Sequence, residues 1–238
     1  MKQLLLLLCL AASIQSYAIW DVIKGNGISK TETREASGYT SLSSGGPMKV
    51  EIVYGTSNTI QLEGDENILP YIETIVKNGE LTIRVKERIS VQTKVPLRVH
   101  VSMTTINGIA HSGSGEIRGS GNFTSTQATD IAQSGSGSIN LKFNKFAGMS
   151  ISQSGSGSIK MEGELNDDLD VSQSGSGNVD CERVASQNVN AHISGSGSLR
   201  VNASKSLDAQ ISGSGHIYYT GSASVSTHVS GSGRVEKI

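Results

Sequence analysis

The sequence predicts an all-β protein folded as a parallel β-helix, or β-solenoid, with about 18–22 residues per coil. A Ser-Gly tetrad recurs at nearly constant spacing, and apolar residues stand at fixed distances on both sides of it. The 238 residues include 28 glycines but only 3 prolines and 4% aromatic residues. This composition favours many small, similar layers over a core built around large rings.

The tetrad Ser-Gly-Ser-Gly marks one corner of each predicted coil. Glycine can adopt a positive φ without steric cost, and serine is small enough to bond to neighbouring backbone, so the tetrad suits a sharp bend. Its spacings are 22, 20, 20, 20, 18 and 18 residues. The seven copies begin at Ser112, Ser134, Ser154, Ser174, Ser194, Ser212 and Ser230.

A strand is predicted on each side of every corner, because apolar and polar residues alternate there with a period of two. Identical coils stacked at roughly 4.8 Å would bury these apolar positions as internal columns. Parallel crossover connections favour right-handed coils. Five residues after each first serine stand Ile117, Ile139, Ile159, Val179, Leu199, Ile217 and Val235; three residues before it stand Ile109, Ile131, Ile151, Val171, Ala191, Ala209 and Thr227.

Residues 19–105 form less regular β structure, which is predicted to cap or open the solenoid of residues 106–238. Alternating runs occur at 48–54, 59–63 and 96–103. Asn78-Gly79 lies between two further runs and predicts a tight hairpin. Pro70 limits the preceding stretch to a single turn of helix. Ser44-Gly45-Gly46 is predicted to be a degenerate early corner.

Residues 1–18 have the pattern of a cleaved export signal: an early Lys2, an apolar run and small residues before the cleavage point. The run is too short to span a bilayer as a helix, which needs roughly 20 residues. We therefore expect an exported protein in the periplasm, on the cell surface or in the medium. Cys181 would then be the single mature cysteine, and its place in the repeat predicts a small buried residue rather than a nucleophile.

The formal net charge of -1 argues against nucleic-acid binding. The five histidines lack the i, i+2 or i, i+4 spacing of a local metal pair. Asp167, Asp168 and Asp170 cluster in one predicted loop, which is more typical of a hydrophilic turn than of a cation site. The sequence predicts neither a metal nor a cofactor.

Charged residues on the outer face of the stack are the candidate binding residues. Six residues after the tetrad begins, Lys160, Asp180 and Arg200 alternate in sign over three successive coils, as on a solvated face with cross-strand charge pairs. In an alternative enzymatic reading, Glu162 and Glu182 are stacked neighbours that act as the two carboxylates of a retaining glycosidase. The candidate site comprises Lys160, Glu162, Asp180, Glu182, Arg200 and Tyr218.

The order of segments resembles a known bacterial family. SKTETREASGYTSLSSGGPMKVEIVYG is followed by LEGDENILPYIETIVKNGELTIRVK, then PLRVHVSM, then the repeated tetrads. Over about residues 28–235 this resembles the auto-transporter adhesin, head GIN domain family, which is common in Bacteroidetes. The resemblance implies a secreted or envelope β-helical protein and brings no catalytic motif with it.

These observations predict a non-catalytic, adhesin-like protein that presents a rigid polar face to a glycan or to a host or envelope surface protein. Two alternatives stay open. One is a carbohydrate-active enzyme that uses Glu162 and Glu182. The other is a purely structural envelope protein whose open last coil pairs with another copy.

Overall fold

The computed structural model describes residues 21–238, and the predicted signal at 1–18 lies outside them. A single 3₁₀ turn, Leu69–Tyr71, interrupts the β structure, at the place predicted beside Pro70. Within the described residues, no helix is long and apolar enough to cross a membrane. The first nine strands are β1 (Asp21–Lys24), β2 (Ser29–Glu35), β3 (Ser41–Gly45), β4 (Lys49–Tyr54), β5 (Thr59–Asp65), β6 (Ile72–Lys77), β7 (Glu80–Val85), β8 (Ile89–Gln92) and β9 (Arg98–Met103).

The tetrads are followed and preceded by strands, as the alternation predicts. Three of these strands are long because they continue from one corner to the next. The remaining strands are β10 (Gly108–Gly113), β11 (Glu116–Ser120), β12 (Thr124–Gly135), β13 (Ser138–Gly155), β14 (Ser158–Leu165), β15 (Leu169–Gly175), β16 (Asn178–Gly195), β17 (Ser198–Gly213), β18 (His216–Thr220), β19 (Ser224–Gly231) and β20 (Arg234–Lys237).

The strands stack into a parallel β-solenoid of about six turns, which confirms the predicted fold class. The segments that enter the corners form one parallel row, in the order β7, β3, β10, β12, β13, β15, β16, β17, β19. The segments that leave the corners form a second row, in the order β9, β4, β11, β13, β14, β16, β17, β18, β20. We call them the entering row and the leaving row.

The predicted apolar column after the corner is confirmed residue by residue. Ile117, Ile139, Ile159, Val179, Leu199, Ile217 and Val235 are paired in succession along the leaving row. The first six are at most 1% exposed. Each such side chain contributes about 1.5–3 kcal/mol by leaving water, so this column is a main source of stability.

The two glycines of each tetrad are required for different reasons. The first has a positive φ in all seven copies, and at Gly155 a Cβ would lie 2.6 Å from the Gly135 carbonyl oxygen of the coil before. The second glycine approaches the previous coil so closely that no Cβ fits. At Gly157 that space holds the Gln133 side-chain amide and the Gly137 carbonyl. The tetrad is therefore a structural corner and not a flexible linker.

The irregular N-terminal features are also confirmed. Ser44-Gly45-Gly46 is an early corner, since β3 pairs in register with β10 and Gly46 has a φ of 99°. Asn78 and Gly79 both have positive φ and join β6 to β7 as an antiparallel hairpin.

The first coil is covered by antiparallel strands. β6 pairs with β7 at the end of the entering row, and β5 pairs with β9 at the end of the leaving row, while β2 pairs with β5. Buried Asp65 connects this end to the separate β1–β8 pair by accepting hydrogen bonds from the backbone N–H groups of Gly27, Lys94 and Val95 at 2.7–2.9 Å. Burial alone would raise the pKa of Asp65, but these donors together hold it below its usual value.

Candidate functional site

The leaving row presents one continuous column of charged and polar side chains to solvent. Its strands are stacked in register, so residues from nine different strands follow one another along the axis. We call this set the charged column. It consists of His100, Glu51, Arg118, Asn140, Lys160, Asp180, Arg200, Tyr218 and Glu236.

Four of the six candidate residues, Lys160, Asp180, Arg200 and Tyr218, lie in this column as neighbours on adjacent strands. The other two, Glu162 and Glu182, lie two residues further along their strands. The structure therefore brings all six to one face. Whether that face binds a ligand stays a prediction.

The predicted stacking of Glu162 on Glu182 is wrong. The pairing of β14 with β16 shifts after Lys160, so Arg183 lies opposite Glu162. Glu162 forms ion pairs with Arg183 at 3.3 Å and Lys160 at 3.7 Å, while Glu182 pairs with Arg200 at 3.5 Å. Each carboxylate thus faces a cation of its own, which is the arrangement of a charge network on a surface.

Tyr218 is the one aromatic side chain among the six candidate residues. The Arg200 guanidinium lies over the Tyr218 ring, 5.1 Å from its centroid. The His216 ring lies beside it, nearly parallel, at 6.2 Å between centroids. This cation–π contact holds Arg200 in place next to Glu182.

The N-terminal end of the charged column, formed by Glu51 and His100, was missed by the sequence analysis. Here His100 Nδ1 lies 3.0 Å from the Glu51 carboxylate, and Arg98 lies 3.5 Å from Glu63. The missed residues come from β4 and β9, which have no complete tetrad to reveal their register. A depression of about 280 Å³ is lined by Lys49, Val50, Glu51, Arg98, His100, Glu116 and Arg118.

The entering row has a different surface. A shallow groove of about 530 Å³ runs along it between two outward columns of small side chains. Most of these outward side chains are serine or alanine, and one of them is a histidine, His192. The columns are Ser43, Ala110, Ala132, Ser152, Ser172 and His192 on one side, and Ser112, Ser134, Ser154, Ser174 and Ser194 on the other.

Cys181 and the histidines of the entering row lie outside the charged column. Cys181 is fully buried, and burial, with a smaller contribution from Asp180, raises the pKa of its thiol far above the usual value. His192 and His228 stand two coils apart in one outward column, separated by Gln210. Over residues 21–238, no three His, Cys, Asp or Glu side chains form a group that could hold a metal ion.

Comparison with known proteins identifies a family. The family model described as "Putative auto-transporter adhesin, head GIN domain" matches residues 38–223. No curated protein matches the chain.

Solved structures of proteins from Bacteroides and Parabacteroides species have the same fold. A putative adhesin from Bacteroides fragilis is 23% identical, with a TM-score of 0.81 over 91% of this chain and 100% of that one. A putative lipid binding protein from Parabacteroides distasonis is 24% identical, with a TM-score of 0.76 over 92% and 100%. A putative adhesin from Parabacteroides merdae is 24% identical, with a TM-score of 0.68 over 92% and 99%.

Proposed function

Because the chain belongs to the auto-transporter adhesin, head GIN domain family, we propose that it is an exported, non-catalytic adhesin-like protein. Its binding surface is the charged column together with Glu162 and Glu182. Its partner is a glycan or a host or envelope surface protein. The observation that carries the proposal is the in-register stacking of alternating charges along one rigid face.

A rigid face suits adhesion because the backbone that carries its side chains is fixed before the ligand arrives. Backbone pairing on both sides fixes the spacing of Lys160, Asp180 and Arg200, so little backbone conformational entropy is lost on binding. The exposed charges would contribute orientation and specificity more than affinity. Many weak contacts repeated along the column would add up to useful avidity on a repetitive surface.

The enzymatic hypothesis is less favoured because of how Glu162 and Glu182 are arranged. A retaining glycosidase needs two carboxyl groups about 5–5.5 Å apart, one of them protonated to act as the acid. Glu162 and Glu182 are instead paired with different cations, Arg183 and Arg200.

The test is a binding screen of the purified protein against immobilised glycans, matrix proteins and lipid vesicles. Vesicles are included because one protein of the same fold is described as lipid binding. The double variant Lys160→Ala/Arg200→Ala should weaken a positive signal by about tenfold or more, as expected for loss of central interface cations. The matched control is Lys205→Ala, an exposed lysine outside the charged column.

Equal loss in the control, or full binding by the double variant, would remove the charged column as the binding surface. Hydrolysis of any polysaccharide in the panel, abolished by Glu162→Gln/Glu182→Gln, would establish the enzymatic reading instead. Binding to vesicles alone would contradict a glycan or protein partner.

A further inference from the structure

The two strands of the last coil have a partner on one side only. β19 is hydrogen-bonded to β17, and β20 to β18, while no strand among residues 21–238 pairs with their opposite edges. All eight residues of β19 are exposed. The first coil has no such open edges, because the antiparallel β6 and β5 cover it. An open strand edge is a template for pairing with another chain.

The open end also exposes apolar side chains that the fold buries elsewhere. Val225 and Val229 continue the interior columns of Leu207 and Ile211. They are 37% and 41% exposed, whereas Leu207 and Ile211 are at most 2% exposed. A further strand laid over β19 would bury both valines, which favours association by the hydrophobic effect.

The two open edges differ in how they are protected. β20 has Arg234, Glu236 and Lys237 among its four residues, and charges on an edge discourage pairing. β19 has the sequence SVSTHVSG, which contains no Asp, Glu, Lys or Arg. The edge strand without charged residues, β19, is also the longer of the two, with 8 residues against 4 in β20.

The sequence of β19 is complementary to itself in the antiparallel direction. With Thr227 on a two-fold axis, it would face Thr227 of the second copy, and each Val225 would face Val229. On the outward face, Ser226 would face His228, and Ser224 would face Ser230. Every apolar residue then meets an apolar one and every polar residue a polar one, with no like charges opposed.

We propose that β19 pairs antiparallel with β19 of a second copy of this chain, joining two solenoids end to end about a two-fold axis at Thr227. The contact is isologous, so it closes at the dimer and does not propagate into a fibre. It is independent of the ligand proposed above, because the charged column lies on the leaving row.

Disulfide trapping tests the register directly. Thr227→Cys places two thiols opposite each other at the axis, close enough to form an intermolecular bond on mild oxidation. The matched control is Val235→Cys, at the same open end but on β20. We expect at least about tenfold more covalent dimer from Thr227→Cys than from the control or the wild type, whose Cys181 is buried. Equal trapping of both variants, trapping of Val235→Cys alone, or no trapping would overturn the proposal.

Sedimentation of the purified protein over a range of concentrations tests the association itself. Ser226→Lys/His228→Lys opposes two pairs of like charges and should weaken dimerisation by at least about tenfold. Ser226→Asp/His228→Lys places opposite charges in the same positions and should restore it. Circular dichroism establishes that both variants fold. A wild type that stays monomeric at high concentration, or two variants with equal affinity, would contradict the two-fold pairing.

Discussion

Two interior columns flank each corner of the stack, and they differ in chemistry although both are buried. The column after the corner, from Ile117 to Val235, is apolar in every coil. The column just before the corner is polar in its first five coils and apolar in its last three. It reads Ser44, His111, Gln133, Gln153, Gln173, Ile193, Ile211 and Val229 in successive coils.

The glutamines are accommodated because each one caps its own corner. Gln133 Nε2 donates to the Gly137 carbonyl at 2.7 Å, and Gln173 donates to Gly177 in the same way. Gln153 Nε2 donates both to Gly157 and to Gln133 Oε1 of the coil before. Buried amides in such a ladder are tolerated where hydrogen bonds replace water. An interior polar column is therefore possible wherever the backbone bends and needs a donor.

Truncating a side chain of the apolar column is expected to have the largest effect on stability. Ile159→Ala removes a side chain that is 1% exposed and leaves a cavity between rigid coils. We expect the free energy of unfolding to fall by about 2–5 kcal/mol, measured by denaturant titration. The neighbouring exposed Lys160→Ala should change it by no more than about 0.5 kcal/mol. Similar losses in both variants would mean that the column is not the main source of stability.

Replacing a central glutamine of the polar column with an apolar residue should also reduce stability. Gln153→Ile leaves Gln133 Oε1 without its donor and removes a hydrogen bond from the Gly157 carbonyl. The expected loss is about 1–3 kcal/mol in the same titration.

The control for this variant is Gln173→Ile, which extends the apolar half of the column by one coil. Gln173 Nε2 donates only to the Gly177 carbonyl, whereas Gln153 Nε2 donates to two acceptors, and the next residue along the column is Ile193. The loss should therefore be smaller than for Gln153→Ile. The reverse order would show that the amide ladder does not stabilise the corners.

A substitution at His111 should change stability the least. His111 lies next to Gln133 in the polar column, one coil before it. Neither ring nitrogen has a well-formed hydrogen bond, and burial lowers the pKa of the ring, although the Gly115 and Ser44 backbone groups oppose that shift. The unfolded chain therefore binds a proton more readily, and stability should fall as pH decreases below about 6.5. His111→Gln should flatten this dependence and raise the melting temperature slightly. An unchanged slope between pH 7 and pH 5 would contradict this assignment.

The corners and the apolar columns could be predicted because a repeated spacing fixes the register of every coil at once. Asn78-Gly79 was equally predictable, since its turn is specified by two adjacent residues. The partner of Glu162 was not predictable. The shift after Lys160 is compensated later in the same coil, so the tetrad spacing stays at 20 residues and hides it.

Two other features escaped the sequence for different reasons. Glu51 and His100 join the charged column through strands that are distant in sequence and lack full tetrads. The glutamine column has the parity of an interior position, but its polarity argues against burial. Only the position of the corner carbonyls explains why an amide is stable there.

The stacked glycine corners have a consequence for how such proteins can change size. Each corner contacts only the coil before and the coil after it, so a gene segment encoding one 20-residue turn from the centre could be duplicated without disturbing either end. The same 20-residue turn inserted into the 18-residue part would instead set unequal perimeters against each other. Growth or shortening in relatives should therefore occur in the middle of the stack, where neighbouring turns are interchangeable.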